Sequence, residues 1–390
     1  VPKASPKSLF GQAIRSLREE RGYSHRHLIR EYASFARSFT KIRAHDIAEQ
    51  VERIYGLGTF WPEPLVSINH YQTGSTLAVL VRAGDLCADI ENVFRVDGKQ
   101  VKLYKHQSQA VAKARQGQSF VVTTGTWSGK SLCFFIPIID AALRAHASAS
   151  GTKRTRAIVI YPMNALANSQ MKELEKFIGE SGLPESRRPT FARYTGQESR
   201  EQREAVSRNP PDILLTNFMM LELLMTRQDP LDQQVIANAK GLDFIVLDEL
   251  HTYRGRQGAD VAMLVRRLRD RLCRQRAPVC IGTSATMASE GGPETRAAAV
   301  AQVASRLFGS TISPDSVIDE TLERATNPSL KLGSALNRSL TVRLEDVSNG
   351  DVTDDALERD PFAAWIELRM GLEDGQKLTR RPQIVSSPFR

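Results

Sequence analysis

Short apolar runs rich in β-branched residues alternate with stretches of helical periodicity from about residue 118 to residue 290. The runs predict strands at SFVVTT (119–124), AIVIYP (157–162), TFARYT (190–195), DILLTN (212–217), DFIVLD (243–248) and VCIGTSA (279–285). Between them, KSLCFFIPIIDAALRAH and GADVAMLVRRLRDRLCR read as helices. Strands so uniformly apolar are buried on both faces, so helices must cover both sides of a parallel sheet. The expected fold class is α/β.

The flanks follow other patterns. SLFGQAIRSLREERGYSHRHLIREYASFARSFTKIRAHDIAEQVERIYG is helical and basic, and the turn-rich LGTFWPEPLVSINHYQTG follows it. After residue 290, ETRAAAVAQVASRLFG and DPFAAWIELRMGLEDG read as helices, and LEDVSNGDVTDDALERD as an acidic loop or insertion. The expected organisation is a helical accessory region over 1–100, an α/β domain over 101–310, and an insertion or linker over 311–390.

At 390 residues with 41% hydrophobic and 25% charged positions, the chain can bury two or three cores and is not broadly disordered. No apolar run has the length of a membrane span, and the basic N-terminus lacks the apolar core of a signal peptide, so the expected location is cytoplasmic. Cys87, Cys133, Cys273 and Cys280 form no CxxC pair, which fits reduced thiols. His25 and His27 have no ligand-type residue at metal spacing and read as surface positions. The net charge of +9 favours an acidic polymer as partner, since cations displace the counterions condensed on phosphates. The alternating charge of SLREERGYSHRHLIREY suits a solvated helix as well as a nucleic-acid entry surface or a partner's docking site.

TTGTWSGKSL (123–132) joins a predicted strand to a predicted helix. Such a loop offers successive backbone N–H groups to phosphate oxygens at a helix N-terminus. The phosphate-binding candidates are Thr124, Gly125, Thr126, Trp127, Ser128, Gly129, Lys130 and Ser131. Lys130 would neutralise the β/γ-phosphates and Ser131 would reach Mg2+, while Thr124 departs from the Gly or Ala of the strict pattern. A chance Gly-Lys-Ser at a helix start is the competing explanation.

FIVLDELHTYRG places Asp248 and Glu249 at a strand's C-terminal end, where parallel sheets bind ligands. Asp248 would hold Mg2+ through water, and Glu249 would polarise the water that attacks the γ-phosphate. Ser284 and Thr286 of IGTSATM end another strand at the same edge and could sense that phosphate.

Together these segments resemble, in order, the first RecA-like domain of a superfamily 2 DEAD/DEAH-box helicase. LYKHQSQAV resembles the glutamine motif, TGTWSGKS motif I, YPMNALANSQ motif Ia, RYTGQ the glycine motif, ILLTNFMMLELLM motif Ib, LDELH motif II and TSAT motif III. The wording is similar to the group containing the mitomycin-repair helicase and the helicase of the DISARM phage-defence system. The resemblance implies ATP and Mg2+ as cofactors and a RecA-like P-loop NTPase fold. It implies adenine recognition by Gln107, and strand contacts by Asn164, Thr195, Gly196, Thr216 and Asn217. His251 would couple the acidic motif to motif III.

Two departures stand out. The family has glycine where this chain has Trp127, and a side chain resists the tight curl that glycine permits, so Trp127 is expected to weaken ATP binding. No QxxGRxGR-like segment follows TSATM, so the arginine fingers of a second RecA-like domain must come from a missing C-terminal part or another subunit. The leading expectation is an ATP-dependent motor module on nucleic acid, single-stranded DNA ahead of RNA, in phage defence or repair and with a defence-complex protein as a further partner. The alternative is a nucleotide-incompetent RecA-like scaffold for DNA or a partner.

Overall fold

The structure is a computed structural model that describes residues 42–56, 65–66, 71–125, 128–148, 153–285, 293–334, 358–373, 378–380 and 383–384, with Ser34 and Leu336. The six expected strands all form: β1 (Phe120–Thr123), β2 (Ala157–Tyr161), β3 (Phe191–Arg193), β4 (Ile213–Asn217), β5 (Phe244–Leu247) and β6 (Val279–Ser284). A seventh, β7 (Val317–Asp319), pairs in parallel with β1. The sheet order is β7-β1-β6-β5-β2-β4-β3, and every pairing is parallel. All C-terminal strand ends therefore lie on one edge.

Alternation along each strand sorts its residues between two cores. Phe120, Val122, Val159, Tyr161, Leu215, Val246 and Ile281 face one core; Val121, Ile158, Ile160, Leu214, Ile245 and Cys280 face the other. The first core is closed by α1 (Lys105–Arg115), α2 (Lys130–Ala147) and α3 (Asn164–Gly179). On the far side lie α5 (Phe218–Thr226), α6 (Pro230–Ala237), α7 (Gly255–Leu272) and α8 (Pro293–Phe308), while α4 (Arg200–Arg208) packs on α6. This layering is that of a RecA-like α/β domain.

Both expected boundaries shift. Leu77, Leu80, Ile90, Val93 and Phe94 are buried in the same core as Phe134 and Phe135 of α2, so the stretch before residue 100 helps to close the α/β unit. Residue 310 does not end that unit either, because β7 completes the sheet with Ile318 aligned to Val122. Val317 and Ile318 are only two apolar residues between polar ones, too short a run to predict a strand. The chain then returns past the sheet's start, where Tyr71 bridges to Leu322 and both pack with Leu372. Most of the expected N-terminal helical region and the acidic stretch 344–357 lie outside the described residues. No described helix is long and apolar enough to cross a membrane.

Candidate nucleotide site and strand-facing edge

The loop after β1 is held from behind by α1. Gln107 is buried; its Oε1 accepts from the Tyr104 amide at 2.9 Å and its Nε2 donates to the Gly129 carbonyl at 3.0 Å. His106, also buried, places Nε2 2.9 Å from the Ser128 carbonyl, and burial lowers its pKa, so the neutral ring donates there. Sequence reasoning missed His106; its position next to Gln107 in LYKHQ was the available signal. The Thr124 and Ser128 hydroxyls, 2.6 Å apart and buried, brace the loop internally.

Gly129 caps α2 with φ +68°, a left-handed conformation that favours glycine. A Cβ there would lie 2.6 Å from Gln107 Nε2, so the close approach of α1 requires glycine as well. Lys130 and Ser131 open α2, where the positive end of the helix dipole favours an anion. Gly125 donates its amide to Glu320 Oε2 at 3.3 Å, a contact from beyond β7 that no sequence signal disclosed. Thr126, Trp127 and Thr286 lie outside the described residues.

Across the cleft, β5 runs into the acidic turn. Lys130 Nζ is 3.7 Å from Glu249 Oε1, and this ammonium is buried with no hydrogen-bond partner among the described residues. Glu249 sits at φ +54°, a conformation unusual outside glycine and a local strain of roughly 1 kcal/mol. Two contacts hold the turn: the Asp248 amide donates to Ile160 O at 3.0 Å, and the Glu249 amide to Thr283 Oγ1 at 3.1 Å. The Thr283 hydroxyl in turn donates to the Asp248 carboxylate. Burial, reinforced by the Glu249 charge, raises the Asp248 pKa to about 6 against the pull of Thr283 and Lys130.

His251 Nδ1 lies 3.2 Å from Glu249 Oε2 and 3.3 Å from Ser284 Oγ, bringing the acidic motif and the end of β6 together. Gly282 lets this happen, since a Cβ on it would stand 2.4 Å from Leu250 Cδ1. An orphaned ammonium, a helix N-terminus and a buried carboxylate form a cradle that fits a phosphate and a Mg2+ ion. That ion needs only one or two protein oxygens beside water and phosphate.

The second group follows β2, β3 and β4 on the same edge. Asn217 Nδ2 donates to Asn164 Oδ1 at 2.6 Å and to Thr195 O at 3.2 Å, while its Oδ1 caps α5 by accepting from the Met220 amide at 2.7 Å. Asn164, Thr195 and Asn217 thus meet at this edge. Thr216 is a correction: it is fully buried and its hydroxyl donates to Tyr194 O at 2.7 Å, which makes it a strut behind the edge and not a strand contact.

Sequence reasoning also missed Glu198. Its carboxylate accepts from Arg193 Nε and the Thr195 amide at 2.7 Å, from the Gly196 amide at 2.9 Å and from Thr195 Oγ1 at 3.0 Å. Burial would raise its pKa, but these donors outweigh burial and lower it. Gly196, at φ +89°, remains exposed beside this nest.

Residues 104–291 match the DEAD/DEAH box helicase family model. The chain is 37% identical over 190 residues to the uncharacterized ATP-dependent helicase YprA of Bacillus subtilis, covering 48% of this chain and 23% of YprA. It is 27% identical over 293 residues to the Druantia protein DruE of Escherichia coli, covering 48% of this chain and 16% of that one. The solved structure of the DUF1998 helicase MrfA bound to DNA superposes with a TM-score of 0.51 at 28% identity, over 66% of this chain and 30% of MrfA. The chain thus spans less than a quarter of the curated relatives named here. With motif order, sheet topology and family match in agreement, residues 104–291 form a RecA-like domain of the superfamily 2 DEAD/DEAH-box helicase type.

Proposed function

We propose that this chain is the ATP-binding half of a nucleic-acid motor. Lys130 and the loop amides would take the β/γ-phosphates, Ser131 and Asp248 would hold Mg2+, and Glu249 would orient the attacking water. Gln107, expected at the adenine, is buried with its amide on Tyr104 and Gly129 and would brace the loop from behind. Bound Mg2+ would supply charge neutralisation between the phosphates. The observation that carries the reading is the approach of Lys130 Nζ to Glu249 Oε1, 3.7 Å across the cleft, with no other hydrogen-bond partner for the ammonium among the described residues. A γ-phosphate is the group that would satisfy it.

Asn164, Asn217 and the Thr195–Gly196 turn would position the backbone of a single strand, DNA ahead of RNA, without reading its sequence. A second RecA-like domain would supply the transition-state cations. Phage defence or repair is the setting to which the family resemblance points, with a defence-complex protein as a further partner.

The sequence observation that favours a second reading, a nucleotide-incompetent scaffold, is Trp127 at the family's glycine position. Equilibrium binding of a fluorescent ATP analogue with Mg2+, comparing this chain with Trp127→Gly, separates the two. Binding by both supports the motor; binding by the glycine variant alone makes this chain a disabled motor. Binding by neither overturns the nucleotide site.

A further inference from the structure

On the sheet's opposite edge, where α7 ends and the chain enters β6, an open cavity of about 730 Å³ is lined by Arg266, Arg269, Arg274 and Arg276, with Asp270 as its one carboxylate. The guanidinium groups converge here because two helices end here. Arg266 donates to Ala262 O and Arg306 O at 2.9 and 2.8 Å, and Arg269 donates to Phe308 O and Gly309 O, both at 2.7 Å. Arg274 donates to Asp270 O at 2.9 Å.

These acceptors are carbonyls, so they orient the guanidiniums without neutralising them. Among the described residues, no carboxylate lies within 4.0 Å of Arg266, Arg269 or Arg274, and Arg276 reaches only Asp243, at 4.0 Å. Asp243 already serves Arg154 at 2.9 Å and Arg156 at 3.3 Å. The C-terminal ends of α7 and α8 contribute roughly half a negative charge each. With Asp270 included, about two positive charges remain uncompensated. Arg269 Nε is buried at this lining with no hydrogen-bond partner among the described residues.

We propose that this arginine bowl binds the phosphate backbone of a duplex arm of the nucleic acid, on the face remote from the ATP edge. The planar guanidinium fork matches phosphate oxygens. The lining offers only Ala277, Pro278 and the nearly buried Cys273 as apolar surface, and so lacks the large anchor on which a protein partner's interface is built. The proposal rests on nucleic acid being the substrate polymer, and its test separates the two.

Binding of a short single strand, and of the same strand extended by a duplex arm, is measured across a salt series for the full chain and for Arg274→Gln/Arg276→Gln. Both side chains are exposed, and an unchanged melting temperature checks folding. The expected result is a roughly tenfold loss of affinity for the duplex-bearing substrate, with a salt slope shallower by about two, and unchanged binding of the short strand. Equal loss on both substrates, or no loss on either, overturns the bowl. Failure of the unsubstituted chain to bind the short strand overturns the strand-binding reading instead, while the duplex arm still reports on the bowl.

Discussion

Lys130 Nζ stands 3.7 Å from Glu249 Oε1, so the proposed phosphate lysine and the proposed water-orienting carboxylate face each other across the cleft. A γ-phosphate entering between them replaces one counter-charge with another. Lys130→Ala is expected to weaken ATP-Mg2+ binding by roughly 10- to 100-fold, the range of a hydrogen bond to a charged group. Glu249→Gln, which frees the lysine, should bind at least as tightly as the unsubstituted chain. Fluorescence anisotropy with an ATP analogue measures both, and weaker binding by Glu249→Gln would count against the exchange.

Asp248 titrates at about 6, above its ordinary range. Its folded-state pKa exceeds the unfolded one, so ionisation destabilises the apo fold as pH rises from about 4 to 6. A metal must displace that proton, so Mg2+-dependent nucleotide affinity should fall up to about tenfold per pH unit below 6 and level off above it. In Asp248→Asn both pH dependences should disappear, as melting curves and titrations from pH 5 to 8 would reveal.

Gly129→Ala puts a methyl group 2.6 Å from Gln107 Nε2 at a backbone φ of +68°. The substitution should cost about 1–3 kcal/mol by denaturant unfolding and displace the loop. Gln107→Ala removes the obstruction but not the φ strain, so the double variant should recover only part of the lost stability.

Glu198 is held by four donors and its pKa is lowered. Its stabilisation is complete above the unfolded pKa and is lost as pH falls through the folded one. Glu198→Gln should therefore lower stability at pH 7 by about 1–3 kcal/mol and flatten the acid limb of a pH–stability curve. An unchanged acid limb would show that the carboxylate does not pin the Thr195–Gly196 turn.

His146 lies 3.0 Å from Asp212, whose hydrogen bond raises the His146 pKa against desolvation. That contribution is present below the unfolded histidine pKa, near 6.5, and is lost as pH rises through the higher folded value. His146→Gln should be least stable relative to the unsubstituted chain near pH 6, with the gap narrowing toward pH 8.

β1, β2, β4, β5 and β6 were legible because burial leaves uninterrupted apolar runs, whereas β3 is a half-buried edge strand of three residues. The candidate nucleotide site was legible because Lys130 follows β1 by one loop and Asp248 and Glu249 follow β5 directly. Residues acting through tertiary contact were not: His106, Glu198 and Glu320 reach the site from a neighbouring turn or helix, and polar residues there look the same whether solvated or engaged. Thr216 failed in the opposite sense, since its place in a motif could not show that its hydroxyl faces Tyr194 O.

β2 is the common neighbour of β5 and β4. Ile160 receives the Asp248 amide, and the next residue, Tyr161, stands level with Asn217. The acidic turn and the Asn164–Asn217 pair are therefore separated by two strand spacings, about 10 Å, a length set by main-chain hydrogen bonds. No side-chain substitution lengthens that ruler, so evolution of this edge can alter what each end holds, but not the reach from the acidic turn to the asparagine pair.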